Sequence, residues 1–277
     1  MIEAFLDFLN YDFLWRALWG TIFVSLSCGV LSPLIVARKY AFIGSAMSHS
    51  TLLGLSIAAS FFANAGAMVF FLITLSVTLL ITSFLAKSTY KEKLPSDSLI
   101  GIFFTVTMGL GMIIHSKFSP NQSDLLNYLF GQILLIEVAD LWIAFSLCLL
   151  CLIGLALSFK KWCYFLYDPA GAELAGVPVK ALHYGQFLLM TLVIVSSLKI
   201  AGTVLVNTLL IIPGVFALSF ARSMKQTFIY SMVFSVIVSA FALVITNAFN
   251  WPSGAGLAVV QFVVLILALG LKRFLAH

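Results

Sequence analysis

His49 is the side chain best placed to do chemistry within an apolar run. It lies in Phe42-Ile43-Gly44-Ser45-Ala46-Met47-Ser48-His49-Ser50-Thr51-Leu52-Leu53-Gly54, a stretch otherwise apolar enough to cross a bilayer. On a helix, Ser45 and His49 share one face at i, i+4 spacing. Ser48, Ser50 and Thr51 make this the most polar of the apolar runs. Ionisable groups inside a membrane are costly and point to function by default. Imidazole is also the commonest protein ligand for transition metals. One reading is therefore a cation path lined by His49; the other is a buried histidine that ties two helices together. Residue types alone leave both open.

Other reactive residues read more plainly. Cys148 and Cys151 form a C-x-x-C, but no His, Asp or Lys lies near enough in sequence to activate a thiol, so packing is expected. His115, beside Lys117 at the end of a run, reads as interfacial. Glu137 and Asp140, with Asp124 nearby, read as solvated carboxylates at a span boundary. Asn207 and Asn247 read as helix–helix hydrogen-bond partners. No Gly-Lys dipeptide occurs, so a phosphate-binding G-x-x-x-x-G-K-[ST] loop is excluded, and H-E-x-x-H, G-x-S-x-G and dinucleotide-binding glycine patterns are absent too.

The elements that must hold these residues follow from composition. Hydrophobic residues make up 62% of the 277-residue chain and charged residues 9%; the mean hydropathy is +1.13. Soluble domains average about 25% charged residues, so this chain is expected to live in lipid as an all-α, polytopic membrane helix bundle. Apolar runs of spanning length fall near 14–37, 42–63, 67–86, 98–116, 138–158, 183–199, 202–220, 227–248 and 255–272, which gives about nine transmembrane helices. The stretch 183–220 is too long for one span, so a tight hairpin is predicted around Lys199-Ile200-Ala201-Gly202. The early acidic residues Glu3, Asp7 and Asp12 speak against a cleaved leader.

Basic residues orient the bundle. With the N-terminus outside, the cytoplasmic set is Arg38, Lys39, Lys87, Lys91, Lys93, Lys160, Lys161, Lys180, Arg222, Lys225, Lys272 and Arg273. The outer set is Arg16, Lys117 and Lys199. That bias predicts an outside N-terminus and a cytoplasmic C-terminus. It also explains the net charge of +5 without nucleic acid.

Two segments do not read as plain crossings. Residues 119–136 begin polar and then run apolar for about twelve residues, which suits a re-entrant or interfacial helix. Residues 159–182 form the longest cytoplasmic segment of what reads as a single domain, 1–277. Within it, Asp168 is an N-cap, Pro169 the first helical residue, and Gly176 with Pro178 the stop. A short capped helix between two spans reads as a docking element.

Taken in order, four stretches resemble the permease subunits of bacterial ABC importers for zinc, manganese or iron. Residues 42–50 are similar to the family's F-x-G-D-x-x-x-H signature. Ser98-Leu99-Ile100-Gly101-Ile102 is similar to its fourth-span start, and Leu129-Phe130-Gly131-Gln132-Ile133-Leu134 to its L-F-G-D-I-L element. Residues 167–178, followed by 200–206 and 209–213, resemble its cytoplasmic coupling helix and the span beyond.

The resemblance implies a transport subunit without cofactor or ATPase site of its own. It implies a divalent metal ion as cargo, a cytoplasmic ATP-binding subunit, an extracytoplasmic metal-binding receptor, and a homodimer or paired permease. It makes His49 and Ser45 the candidate metal contacts, and Asp168, Pro169, Glu173 and Gly176 the candidate coupling residues. Two departures stand out: Ser45 and Gln132 occupy positions where the family has Asp. A hydroxyl binds a divalent ion far more weakly than a carboxylate, so a tight Asp–His site is not expected. The rival reading is a secondary transporter or channel for a small cation. Such proteins usually carry more intramembrane charge than these runs do.

Overall fold

The structure, a computed structural model, describes residues 11–62, 66–90, 96–118, 131, 133 and 136–275. Within lipid a backbone must satisfy its own hydrogen bonds, and helices do so within one segment. The described residues accordingly form α1 (Asp12–Ala37), α2 (Ala41–Phe61), α3 (Ala67–Tyr90), α4 (Ser96–Phe118), α5 (Val138–Tyr167), α6 (Pro169–Leu174), α7 (Val179–Phe220), α8 (Met224–Ala248) and α9 (Ser253–Leu275). No strand occurs among them. All but α6 are long and apolar enough to cross a membrane.

At 42 residues, α7 would be about 63 Å long if straight, against roughly 40–45 Å for a whole bilayer. It is broken at Gly202, whose φ of 71° and ψ of 167° lie in a region open essentially to glycine. The contacts on either side show that the chain turns back there. In the first arm, His183 Nε2 hydrogen-bonds the Ala86 carbonyl, Thr191 donates to Thr82, and Lys199 reaches Asp140 at the start of α5. In the second arm, Leu210 lies against Gly44 and the Gly214 N–H donates to Ser32 Oγ at 2.7 Å. Ser32 is near the end of α1, and Ala37 shares a hollow with Tyr90, Val179 and His183, so the second arm returns to the end where the first began. The predicted hairpin is therefore present, and the eight long helices, with α7 folded back at Gly202, provide nine apolar crossings among the described residues.

Helix directions alternate, so Arg38, Lys87, Lys180, Arg222 and Lys272 gather at one end of the bundle, termed here the basic end. The core lies where α1, α2, α7 and α8 meet, around Leu31, Ile35, Met47, Met190, Val206 and Phe228. Residues across α3, α4, α5 and α9 leave apolar side chains such as Leu80, Ile113, Leu157 and Leu267 exposed, as lipid-facing helices do.

One expectation changes. Helix α5 does not stop near residue 158 but continues to Tyr167, with Ser158 (φ −115°, ψ 17°) as a local break. Lys160 and Lys161 can project into water while Trp162, Phe165 and Leu166 stay buried. The segment 159–182 is therefore more helical than a loop. The predicted re-entrant helix at 119–136 falls almost wholly outside the described residues.

Candidate functional site

Helix α2 places Ser45 and His49 one turn apart, both half-buried. The hydroxyls around them are largely satisfied. Ser50 and Thr51 donate to the carbonyls of Ala46 and Met47 in their own helix, and Ser48 donates across to Asn207 Oδ1 at 3.0 Å. Asn207 thus acts as the helix–helix partner that its position suggested. His49 differs: its ring meets Phe104 of α4 edge-on at 4.5 Å between centroids, and its buried Nδ1 has no hydrogen-bond partner. A polar atom left so is uncommon and calls for an explanation. A neutral imidazole protonated at Nε2 would offer a free lone pair at Nδ1. Among the described residues, no three His, Cys, Asp or Glu side chains gather as a metal cluster. Any ion at His49 would be held loosely, in keeping with Ser45 in place of a carboxylate.

At the end opposite the basic one, a cavity of about 530 Å³ is bounded by Thr51, Leu55, Thr74, Val195 and the Lys199–Asp140 pair. Lys199 Nζ is 2.8 Å from Asp140 and 3.9 Å from Glu137. Asp140 also accepts from the Glu137 N–H, closing a capping box at the start of α5. Asp140 is engaged with Lys199 rather than merely solvated, whereas the Glu137 side chain stays exposed. Cys28, Cys148 and Cys151 are buried free thiols, in line with a packing role.

At the basic end, α6 is capped at both termini. Asp168 accepts from the Gly171 N–H at 2.9 Å and Pro169 occupies the first turn. At the far end the Gly176 N–H donates to Glu173 O and the Val177 N–H to Ala172 O, a Schellman motif with Gly176 (φ +75°) as its left-handed residue. Ala172 is buried beneath the helix, whereas Glu173 and Leu174 face outward, Leu174 being 91% exposed. Asp168, Pro169 and Glu173 line a hollow of about 750 Å³ together with Arg38, Lys39, Tyr90 and His183.

One residue that nothing in the sequence singles out as functional joins these regions. Arg38 donates to the Phe165 carbonyl, stacks over the Phe165 ring at 4.5 Å and also donates to the Tyr40 hydroxyl. It thereby connects the root of α6 to the residue that precedes α2. In sequence, a lone arginine at a span end reads only as an orienting charge.

The family model described as the ABC 3 transport family matches residues 10–272. The chain belongs to the ABC 3 transport family. Among family relatives, the manganese transport system membrane protein MntC of Halalkalibacterium halodurans is 31% identical, over 94% of this chain and 87% of its own length. The chelated iron transport system membrane protein YfeD of Yersinia pestis is 28% identical, over 94% and 85%. The solved structure of PsaBC from Streptococcus pneumoniae in complex with Fab aligns with a TM-score of 0.84 at 28% identity, covering 97% of this chain and 95% of the other. The family resemblance carried by the short motifs therefore holds over nearly the whole chain.

Proposed function

We infer that this chain is the membrane-spanning permease of an importer for a divalent transition-metal ion, driven by a separate cytoplasmic ATP-binding subunit. The unpaired Nδ1 of His49, in the middle of a membrane-crossing helix, carries the reading. Relatives named for manganese and chelated-iron transport support the cargo class. Zinc, manganese and iron all accept imidazole nitrogen, so the donor set does not choose among them.

In this reading the basic end is cytoplasmic, by the positive-inside bias, and the N-terminus lies outside. The exposed face of α6, with Glu173 and Leu174, receives the ATP-binding subunit. An extracytoplasmic receptor delivers the ion at the other end, and two permeases pair in the membrane. Movement imposed on α6 reaches α2 through Phe165, Arg38 and Tyr40. His49 lies on α2 about 13 Å further in, so alternating access has a contiguous route from the docking helix to the ion path.

Reconstituting the complete importer in proteoliposomes and measuring Mn2+ and Zn2+ uptake tests this. Loss of even an outer-shell partner of a metal ligand costs about 10- to 100-fold in affinity or activity, so a loss of at least that size is expected of His49→Ala with α6 and its partner intact. Ser45→Asp is expected to tighten ion binding by restoring an anionic donor. Unimpaired uptake by His49→Ala would remove His49 from the path.

A further inference from the structure

Helices α2 and α4 run parallel along one seam. His49 meets Phe104, Leu53 backbone lies against Gly111, and Phe61 meets Phe118 at 5.6 Å between ring centroids. Phe104, Gly111 and His115 fall on one stripe of α4 by the 3.6-residue repeat. His115 accordingly sits between the Gly111–Leu53 and Phe118–Phe61 contacts, at the level of the last turn of α2. It is 7% exposed rather than interfacial, and its Nε2 is buried with no hydrogen-bond partner. Ser60, seven residues on from Leu53 and so on the same stripe of α2 by the helical repeat, likewise has a buried Oγ without a partner. Lys117, two residues on, places its ammonium over the Phe118 ring.

We propose that His115, with Ser60, is a second station for the divalent metal ion, at the opposite end of the seam from the basic end and ahead of His49. The inference rests on the reading of His49 as part of the ion path. An imidazole and a hydroxyl that lack partners on the same seam supply a nitrogen and an oxygen donor. Two donors make a weak site, which suits cargo that must move on. The two stations lie about 16 Å apart along α4. Between them the helices touch so closely that a Cβ on Gly111 would sit 3.2 Å from Leu53 Cα. Passage from His115 to His49 therefore requires α2 and α4 to part, which makes the contact a closed section between two stations.

The test compares His115→Leu, His115→Gln and Ser60→Ala in the complete importer, with Zn2+ as the binding probe and Zn2+ and Mn2+ uptake as the readout. Removing an unpaired buried nitrogen should leave Tm unchanged or raised, because no hydrogen bond is lost. The expected result is an uptake KM raised about tenfold in His115→Leu and His115→Gln, with a smaller rise in Ser60→Ala. In equilibrium dialysis, His49→Ala should retain a weak Zn2+ site that His49→Ala/His115→Leu lacks. Wild-type KM and an unchanged Zn2+ count in the His115 variants, alongside a defective His49→Ala, would overturn this station and leave the His49 reading intact. Normal uptake by His49→Ala would overturn both. A decline in uptake that only tracks lost folded protein in both His115 variants would assign His115 to packing and overturn the proposal.

Discussion

Around α6 the polar groups that end a helix are paired: Asp168 holds the first turn and Gly176 and Val177 return their N–H groups to the last. Around His49 the opposite holds, because the hydroxyls find partners while an imidazole nitrogen is left without one. The first region is built to keep its shape when pushed. The second keeps a donor uncommitted inside the membrane, which is expensive unless a ligand uses it. On the proposed function, a rigid contact at one end and an uncommitted donor in the middle are what a machine needs if force is applied at a distance from the cargo. The two regions should therefore fail in different ways. His49→Ala should abolish transport and spare the fold, whereas lesions at α6 should spare ion binding and break the link to ATP.

The largest effect at α6 is expected from Gly176→Pro. Proline fixes φ near −65° and lacks an N–H, so it can adopt neither the +75° conformation nor the bond to Glu173 O. The lost geometry should destabilise the α6 turn by about 3 kcal/mol. ATP hydrolysis should continue while uptake falls to background, with Zn2+ binding at His49 retained. Glu173→Lys, which reverses the exposed charge without touching the turn, should give the same uncoupling more mildly. Wild-type uptake by both variants would remove α6 from the coupling path.

A smaller effect is expected from Asp168→Ala. It removes one capping acceptor, worth roughly 1 kcal/mol, and Asp168→Asn should restore most of it. Hydrogen exchange at the amides of 170–173 should speed up in the alanine variant, and uptake per ATP should fall several-fold rather than vanish. If exchange quickens while coupling is untouched, the shape of α6 matters less than its exposed side chains.

The contrast was half legible in the sequence. Caps and stops are local, so Asp168, Pro169 and Gly176 announced α6 through chemistry that needs no neighbour. The break at Gly202 was legible because the apolar run exceeds one bilayer crossing. The pairing of Asn207 was foreseeable because a buried amide in lipid has few alternatives. What the sequence withheld was direction around each helix axis. His115 lies near a span end beside Lys117, and that height in the membrane reads as interfacial. Only the packing of α4 alongside α2 turns it inward. A spacing of seven and then four residues from Phe104 to Gly111 to His115 was the available signal, and it has meaning only once Phe104 is known to meet His49. Arg38 was hidden for the same reason, since its partner Phe165 lies 127 residues away. The end of α5 was misplaced because Lys160 and Lys161 mark where lipid ends, not where a helix must.

The smallest effect concerns the end opposite α6 and tests whether that end is also held rigid. Lys199 joins the turn at Gly202 to the start of α5 through Asp140, yet its side chain is 51% exposed. Exposed ion pairs contribute about 0–1 kcal/mol and weaken with salt, so Lys199→Met should lower Tm only slightly and by less at high ionic strength. Asp140 would keep its bond to the Glu137 N–H, so the helix start survives. Uptake should stay close to wild type if the pair merely tidies the turn. A several-fold change in uptake with no change in Tm would mean that the pair governs entry to the cavity beneath it, and the flexible part of the permease would then extend from the His49 seam to the mouth at Lys199.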